Sequence, residues 1–425
     1  MALLLGSLVV CIVIGIPIAY SLGVSALSYF LVYRPELISI LPQRIFSGFN
    51  SEALIALPLF ILMGQMMNGS GITRRIIDFS NLIFGKFKGG LGSINVFASM
   101  IFGGISGSSA SDTASVGAIL IPEMEKKGYP VEYASGITVA SSTMGMIIPP
   151  SVPMILFSVL AEESVGKLFL AGAIPGIMIG LFQLVINAVL SYKRDYPRED
   201  FQYSFKFVFN TIKDSLVALI MPLFVVGTVV FGIATANESA AFGVMYALLI
   251  GVLVFKGIKW KELPGMFMSA IKTCASIMII IAISQLYIWI LALEHVPQDL
   301  AMWVVGLDLS PTMLLTTIMV IILIAGTFID VSPAILLLTP VFLPAAVAVG
   351  ISPLQFGALL IAGLAVGAVT PPVGTCLNVA AAISKLGIGR IFRGATPFLV
   401  GNVSTLVLIC FVQPVTLWLP ALLYG

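Results

Sequence analysis

Apolar residues run through this chain in blocks of about 17–25, and polar residues gather in the short gaps between them. A block of that length crosses a hydrocarbon core of about 30 Å as a helix, so the pattern predicts an all-α polytopic membrane protein. A stretch over 2–33, kinked near Gly15 and Pro17, reads as two short helices. A span at 51–70, an amphipathic stretch at 72–88, an interrupted segment at 91–125, a span at 131–160 broken at Pro149–Pro150, and a span at 165–190 follow. The polar run Tyr192 to Asp214, which includes Glu199 and Asp200, reads as a linker. Beyond it the plan returns, with spans at 215–233, 236–255 and 273–294 and a basic piece (Lys256, Lys259, Lys261, Lys272) before the third. An amphipathic stretch at 296–309, an interrupted segment at 312–348, a span at 353–384 broken at Pro371–Pro372 and a last span at 394–418 complete the chain.

The return is a duplication. A shift of 222 positions pairs Gly104 with Gly326, Pro122 with Pro344, Gly128 with Gly350 and Gly145 with Gly367. The same shift pairs Pro149–Pro150 with Pro371–Pro372, Gly172 with Gly394 and Pro175 with Pro397, without a gap. We therefore expect two repeats, 1–200 and 201–425, each with scaffold helices, an arm helix, a hairpin and a broken helix.

Composition and charge refine this picture. Hydrophobic residues make up 59% of the 425 and charged residues 9%, where a soluble chain carries about a quarter charged. The net charge of +2, with no basic cluster, gives no case for nucleic acid. Residues Thr273 to Ser384 hold no Lys or Arg, whereas Lys86, Lys88, Lys126 and Lys127 flank segment 91–125. The positive-inside rule then puts both ends of 91–125 in the cytoplasm and both ends of 312–348 outside. The repeats are expected to be inverted, each interrupted segment re-entering on its own side, as in secondary transporters. The N-terminus lacks a basic region and a cleavage site, so it reads as a retained membrane helix. Cys11, Cys274, Cys376 and Cys410 show no CxxC spacing and read as small buried hydrophobes. With no GxxxxGK[ST], the chain is not expected to hydrolyse ATP.

The interruptions carry the candidate chemistry. The first tip, Gly103 to Thr113, reads GGISGSSASDT, and the first break, Ser141 to Ser151, reads SSTMGMIIPPS. The second tip, Gly326 to Pro333, reads GTFIDVSP, and the second break, Gly367 to Thr375, reads GAVTPPVGT. Paired prolines leave carbonyls without helical donors, and glycines let two backbones approach. Such carbonyls and hydroxyls are hard oxygen ligands for an alkali cation, while half-helix N-termini favour an anion. Asp330 is an acid at membrane depth, and such residues are costly unless paired or used. Asp112 reads either as functional or as a tip cap, Asn237 and Glu238 as loop-capping groups, and Gly172, Gly176 and Gly180 as helix packing. A GxSG at Gly104 to Gly107 raises an intramembrane serine protease, but that nucleophile needs a base, and His295, the one histidine, falls near a membrane end.

These tips and breaks resemble the large membrane subunit of tripartite ATP-independent periplasmic (TRAP) transporters, most closely its sialic-acid branch. Gly232 to Ala241, GIATANESAA, is similar to that family's TPTEAA signature with Ala236 in place of proline. The resemblance implies a multi-pass bacterial inner-membrane protein of the ion-transporter superfamily, moving by an elevator mechanism and importing an organic anion with sodium. It implies two partners, a four-helix small membrane subunit and a periplasmic substrate-binding protein. Carried onto this sequence, one Na⁺ falls among Ser106, Ser108, Gly145, Ile148 and Pro150, and a second among Gly326, Thr327, Asp330, Gly367, Thr370 and Pro372. Substrate contacts would come from Ser108, Ser109, Ser111, Ser151, Asp330, Gly374, Thr375 and Asn378. The runner-up is a stand-alone sodium/dicarboxylate symporter that needs no partners.

Overall fold

A computed structural model of the chain describes residues 2–48, 52–198, 204–306 and 310–425. The described residues form helices and connecting turns, with no strand among them, and seven helices are long and apolar enough to cross a membrane. The repeat boundary at 200/201, Glu199 and Asp200 of the polar linker, and the end of the 296–309 stretch lie outside the described residues.

Both interrupted segments are helix–turn–helix hairpins. The first joins Gly90–Ser106 to Ser109–Lys126, and the second joins Pro311–Phe328 to Val331–Ala348. Both Pro-Pro spans are split, into Val131–Ser142 and Val152–Ala161, and into Pro353–Gly367 and Thr375–Ser384. Pieces of 10–15 residues are too short to cross alone, so each broken helix reaches across only as a pair.

The 222-residue shift holds at the level of single hydrogen bonds. Gly128 (φ +87°) and Gly350 (φ +84°) end the two hairpins in the left-handed conformation that glycine adopts without strain. Around them Tyr129 N–H bonds Met124 O at 3.0 Å, and Ile351 N–H bonds Ala346 O at 3.0 Å, a matched pair of helix ends. Ser108 and Asp330, also 222 apart, are the N-cap residues of the second hairpin helices.

The repeats interlock. Helix Ile388–Phe411 packs on Val131–Ser142, where Gly394 and Gly136 let the backbones touch. Gln183 Nε2 bonds Asn402 Oδ1 at 2.7 Å, and Asn402 Nδ2 bonds Thr143 Oγ1 at 3.0 Å, all buried. Arg390 pairs with Glu132 at 2.5 Å. Apart from this block, Ala56–Gly69, Ala236–Leu249 and Leu263–Leu293 form a scaffold, with Gly243 fitting against Met63 and Gly69 against Met266.

The N-terminal stretch agrees with the sequence reading, and three spans are bounded differently. The N-terminal stretch is indeed two helices, Ala2–Val13 and Ile18–Tyr33, turned at Gly15. The 215–233 span starts earlier, at Phe205, so Lys206, Lys213 and Asp214 sit on a helix and the linker is shorter. The 273–294 span starts at Leu263, and Lys272 belongs to it, because one charge on a 31-residue apolar helix can stay near the interface. The last span begins at Ile388, stops at Phe411 and gives way to Pro414–Tyr424, since Pro414 cannot continue the helix.

Candidate functional site

In the first repeat the hairpin tip lies backbone to backbone on the break. A Cβ on Gly103 would stand 3.0 Å from Gly145 Cα, and one on Gly104 would stand 2.9 Å from Pro149 O. Gly107 (φ +60°) ends the first hairpin helix, and a Cβ there would lie 3.2 Å from Pro150 O. Gly145 comes as close to Ser108 O, 3.1 Å from its built Cβ, and the Ser106 hydroxyl donates to that same carbonyl at 3.2 Å. Ser106, Ser108, Gly145, Ile148 and Pro150 are therefore neighbours, and the oxygens among them are carbonyls and hydroxyls. The glycine row Gly172, Gly176 and Gly180 packs against Met154, Ile148 and Met100, so it serves helix packing.

The second repeat repeats the contact with different atoms. Gly326 and Gly367 face each other, a Cβ on Gly326 lying 3.1 Å from Gly367 Cα. Val373 N–H bonds Thr327 O at 3.2 Å, which ties tip to break. Thr370 Oγ1 donates to Val366 O at 2.8 Å. Both Pro149–Pro150 and Pro371–Pro372 are cis. Thr327, Thr370 and Pro372 edge a groove of about 1010 Å³ whose walls are otherwise largely aliphatic and aromatic. That groove suits lipid tails better than a polar solute. Asp330 stands apart from it, on the wall of a different cavity.

This second cavity, of about 470 Å³, is where the repeats and the scaffold meet. Ser108, Ser109 and Ser111 line it from the start of Ser109–Lys126, and Asp330 and Ser332 from the start of Val331–Ala348. Thr375 opens Thr375–Ser384 there, and Val152 and Pro153 open Val152–Ala161. Four helix N-termini thus converge on one space, each bringing the positive end of its helix dipole, although Pro153 and Pro333 have no N–H and the N–H groups of Met154 and Cys376 are already bonded to Ser151 Oγ and Ala368 O. Asp330 is the one charged residue among the described residues of the wall. Among the described residues no group of three His, Cys, Asp or Glu could hold a metal ion.

Ser151, Gly374 and Asn378 do not line the cavity. Ser151 is buried and bonded to Met146 O, where it also caps Val152–Ala161. Gly374 (φ +43°) shapes the turn, and Asn378 Nδ2 bonds Val373 O at 2.9 Å. These three hold the breaks together. Conversely, Gln65, Thr273 and Ser276 line the cavity from the scaffold. Their signal in the sequence is faint: lone polar residues within apolar helices.

Asp112 is fully buried in the first turn of Ser109–Lys126, and among the described residues neither carboxyl oxygen has a hydrogen-bond partner. Ser99 lies alongside. No side-chain cap bond comes from Asp112, so the tip-cap reading does not hold for it. Glu238, by contrast, completes a capping box with Thr235, accepting Thr235 N–H at 2.8 Å. His295 is exposed beyond the end of Leu263–Leu293 and off the cavity wall, so Ser106 has no histidine beside it there.

Comparison with known proteins gives the same family. The model of the tripartite ATP-independent periplasmic transporter DctM component matches residues 5–415. The C4-dicarboxylate TRAP transporter large permease protein DctM of Pseudomonas aeruginosa is 34% identical over 94% of this chain and 93% of its own length. The sialic acid TRAP transporter large permease protein SiaM of Vibrio cholerae is 33% identical over 97% and 96%. The 2,3-diketo-L-gulonate TRAP transporter large permease protein YiaN of Escherichia coli is 33% identical over 96% of each chain. Identities this even do not set one branch above another. Among solved structures, the YdaH transporter of Alcanivorax borkumensis superposes with a TM-score of 0.64 over 91% of this chain and 90% of its own, at 12% identity, which shows a shared fold. The chain belongs to the DctM family of large TRAP permease subunits, and it is a multi-pass inner-membrane protein and not an enzyme.

Proposed function

We propose that this permease imports a small organic anion together with sodium, by moving the two hairpins and broken helices as one block past the scaffold. The convergence of four helix N-termini on a cavity whose one charged residue among those described is Asp330 carries this reading. The N-termini favour the substrate's carboxylate. Cations at the two tip-and-break contacts offset the charge that Asp330 and the substrate bring together. Inverted repeats place one such contact toward each side of the membrane, which suits alternating access. The cavity lies between the hairpin block and the scaffold helices Ala56–Gly69 and Leu263–Leu293, so sliding one against the other would carry its contents across.

The substrate is delivered by a periplasmic binding protein, and the permease works with a small membrane subunit. The sialic acid permease protein SiaT of Haemophilus influenzae supports the second partner: this chain spans 66% of it, leaving a third of that protein for a further segment. Asp330→Asn keeps shape and removes charge. At matched membrane expression it should raise the sodium concentration for half-maximal uptake at least tenfold, the equivalent of about 1.4 kcal/mol. Unchanged sodium affinity would make Asp330 a turn residue and leave the cavity without a charge to balance.

A further inference from the structure

A pocket of about 630 Å³ opens where the turn before Gly90–Ser106 meets the end of Val165–Lys193, and it shares no lining residue with the cavity of Asp330. Lys86 and Lys88 line one side, and Tyr192, Asp195 and Arg198 line the other. The loop between them is fixed in place. Tyr196 is buried against Tyr129 and Tyr133, while Gly89 N–H and the Tyr129 hydroxyl both donate to Pro197 O, at 3.1 and 3.2 Å. The Lys88 ammonium is hydrogen-bonded to Asp195 and lies 5.8 Å from the centre of the Tyr192 ring. Among the described lining residues three cations thus surround one carboxylate, which gives the pocket a positive potential. It stands at the end of the molecule that the charge pattern puts in the cytoplasm.

Such a pocket takes an anion, and its surroundings favour one that carries acyl chains. Ile177, Leu181, Val185 and Val189 are 47–62% exposed and, spaced four apart, form one apolar stripe along Val165–Lys193. Tyr192 follows Val189 by three residues, about 4.5 Å along the helix axis, so the stripe leads directly to the pocket. Phe87 and Tyr192 are both exposed at its mouth, and aromatic rings at the end of a spanning helix stand at the headgroup level of a bilayer. A soluble anion would leave the stripe unused, whereas a phospholipid would cover it.

We propose that this pocket binds the headgroup phosphate of an anionic phospholipid from the cytoplasmic leaflet, with Lys86, Lys88 and Arg198 around the phosphate and an acyl chain along the stripe. Each cation near a membrane surface strengthens attraction to an anionic lipid several-fold. Removing Lys86 and Arg198 leaves only the neutral pair of Lys88 with Asp195. The test uses the purified complex of the permease with its small subunit, with binding followed by thermal stabilisation. The probes are dioleoyl phosphatidylglycerol, dioleoyl phosphatidylcholine and inorganic phosphate. Phosphatidylglycerol should bind at least about tenfold more tightly than phosphatidylcholine. Lys86→Gln with Arg198→Gln, both at exposed positions, should bring the two lipids to within about twofold of each other. Lys126→Gln with Lys127→Gln, which removes two cations outside the pocket, should leave the preference intact. Equal binding of the two lipids by the wild type, an unchanged preference in the Lys86 and Arg198 variant, or an equal loss in the Lys126 and Lys127 variant overturns the assignment. Inorganic phosphate stabilising as strongly as phosphatidylglycerol at the same concentration would make this a site for a soluble anion and overturn the lipid assignment as well.

Discussion

Alanine at Gly367 would put a methyl group 2.5 Å from both Cα and the carbonyl carbon of Gly326. Carbon atoms in contact sit about 3.5–4.0 Å apart, so the second hairpin tip would have to retreat from the break by about 1 Å. The obstacle is backbone on both sides, and no side chain can swing away to absorb it. Overpacking of this kind costs about 1–3 kcal/mol. Function should suffer more than folding, because ligand distances around a bound cation tolerate only about 0.2 Å. We expect Gly367→Ala to raise the half-saturating sodium concentration at least tenfold at matched expression, read as sodium-dependent uptake in proteoliposomes. Gly389→Ala is the control: its Cβ meets nothing within 4 Å, and it lies inside helix Ile388–Phe411. That variant should transport normally and gain a few tenths to 1 kcal/mol from helix propensity. Wild-type sodium affinity in Gly367→Ala would refute the view that tip and break together form a cation site.

Two further outcomes are expected. In a background without Cys11, Cys274, Cys376 and Cys410, Ser310→Cys should be labelled from outside intact cells and Lys127→Cys should not; labelling of both from one side would end the inverted-repeat reading. Thr235→Ala removes the capping box that opens Ala236–Leu249 and should lower stability by about 1 kcal/mol, seen as an earlier melting transition, and an unchanged transition would mean the cap is redundant.

The duplication was the most legible feature of the sequence, because Gly and Pro impose backbone geometry wherever they stand. Spacing alone pairs Gly128 with Gly350, and their left-handed turns and flanking hydrogen bonds match. The tip-and-break contacts follow the spacing less closely: Gly145 and Gly367 pair by it, but Gly145 meets Gly103 whereas Gly367 meets Gly326, the counterpart of Gly104. Side-chain destinations were harder to read. Ser151 and Asn378 sit in the right motifs, yet both spend their hydrogen bonds on carbonyls of the break, and no spacing rule says which serine of a loop will cap a helix. Gln65, Thr273 and Ser276 escaped because their role depends on which scaffold face the hairpins approach, a tertiary fact. The helices start earlier, at Leu263 and Phe205, because Lys272 in the first and Lys206, Lys213 and Asp214 in the second lower the local hydropathy without breaking the helix.

Sodium coupling is the centre of the account, and uptake by the complete three-component system in proteoliposomes tests it most directly. An inward sodium gradient should drive accumulation of the organic anion, with a Hill coefficient for sodium above one. Accumulation driven equally well by a potassium gradient, or by ATP without sodium, would contradict it.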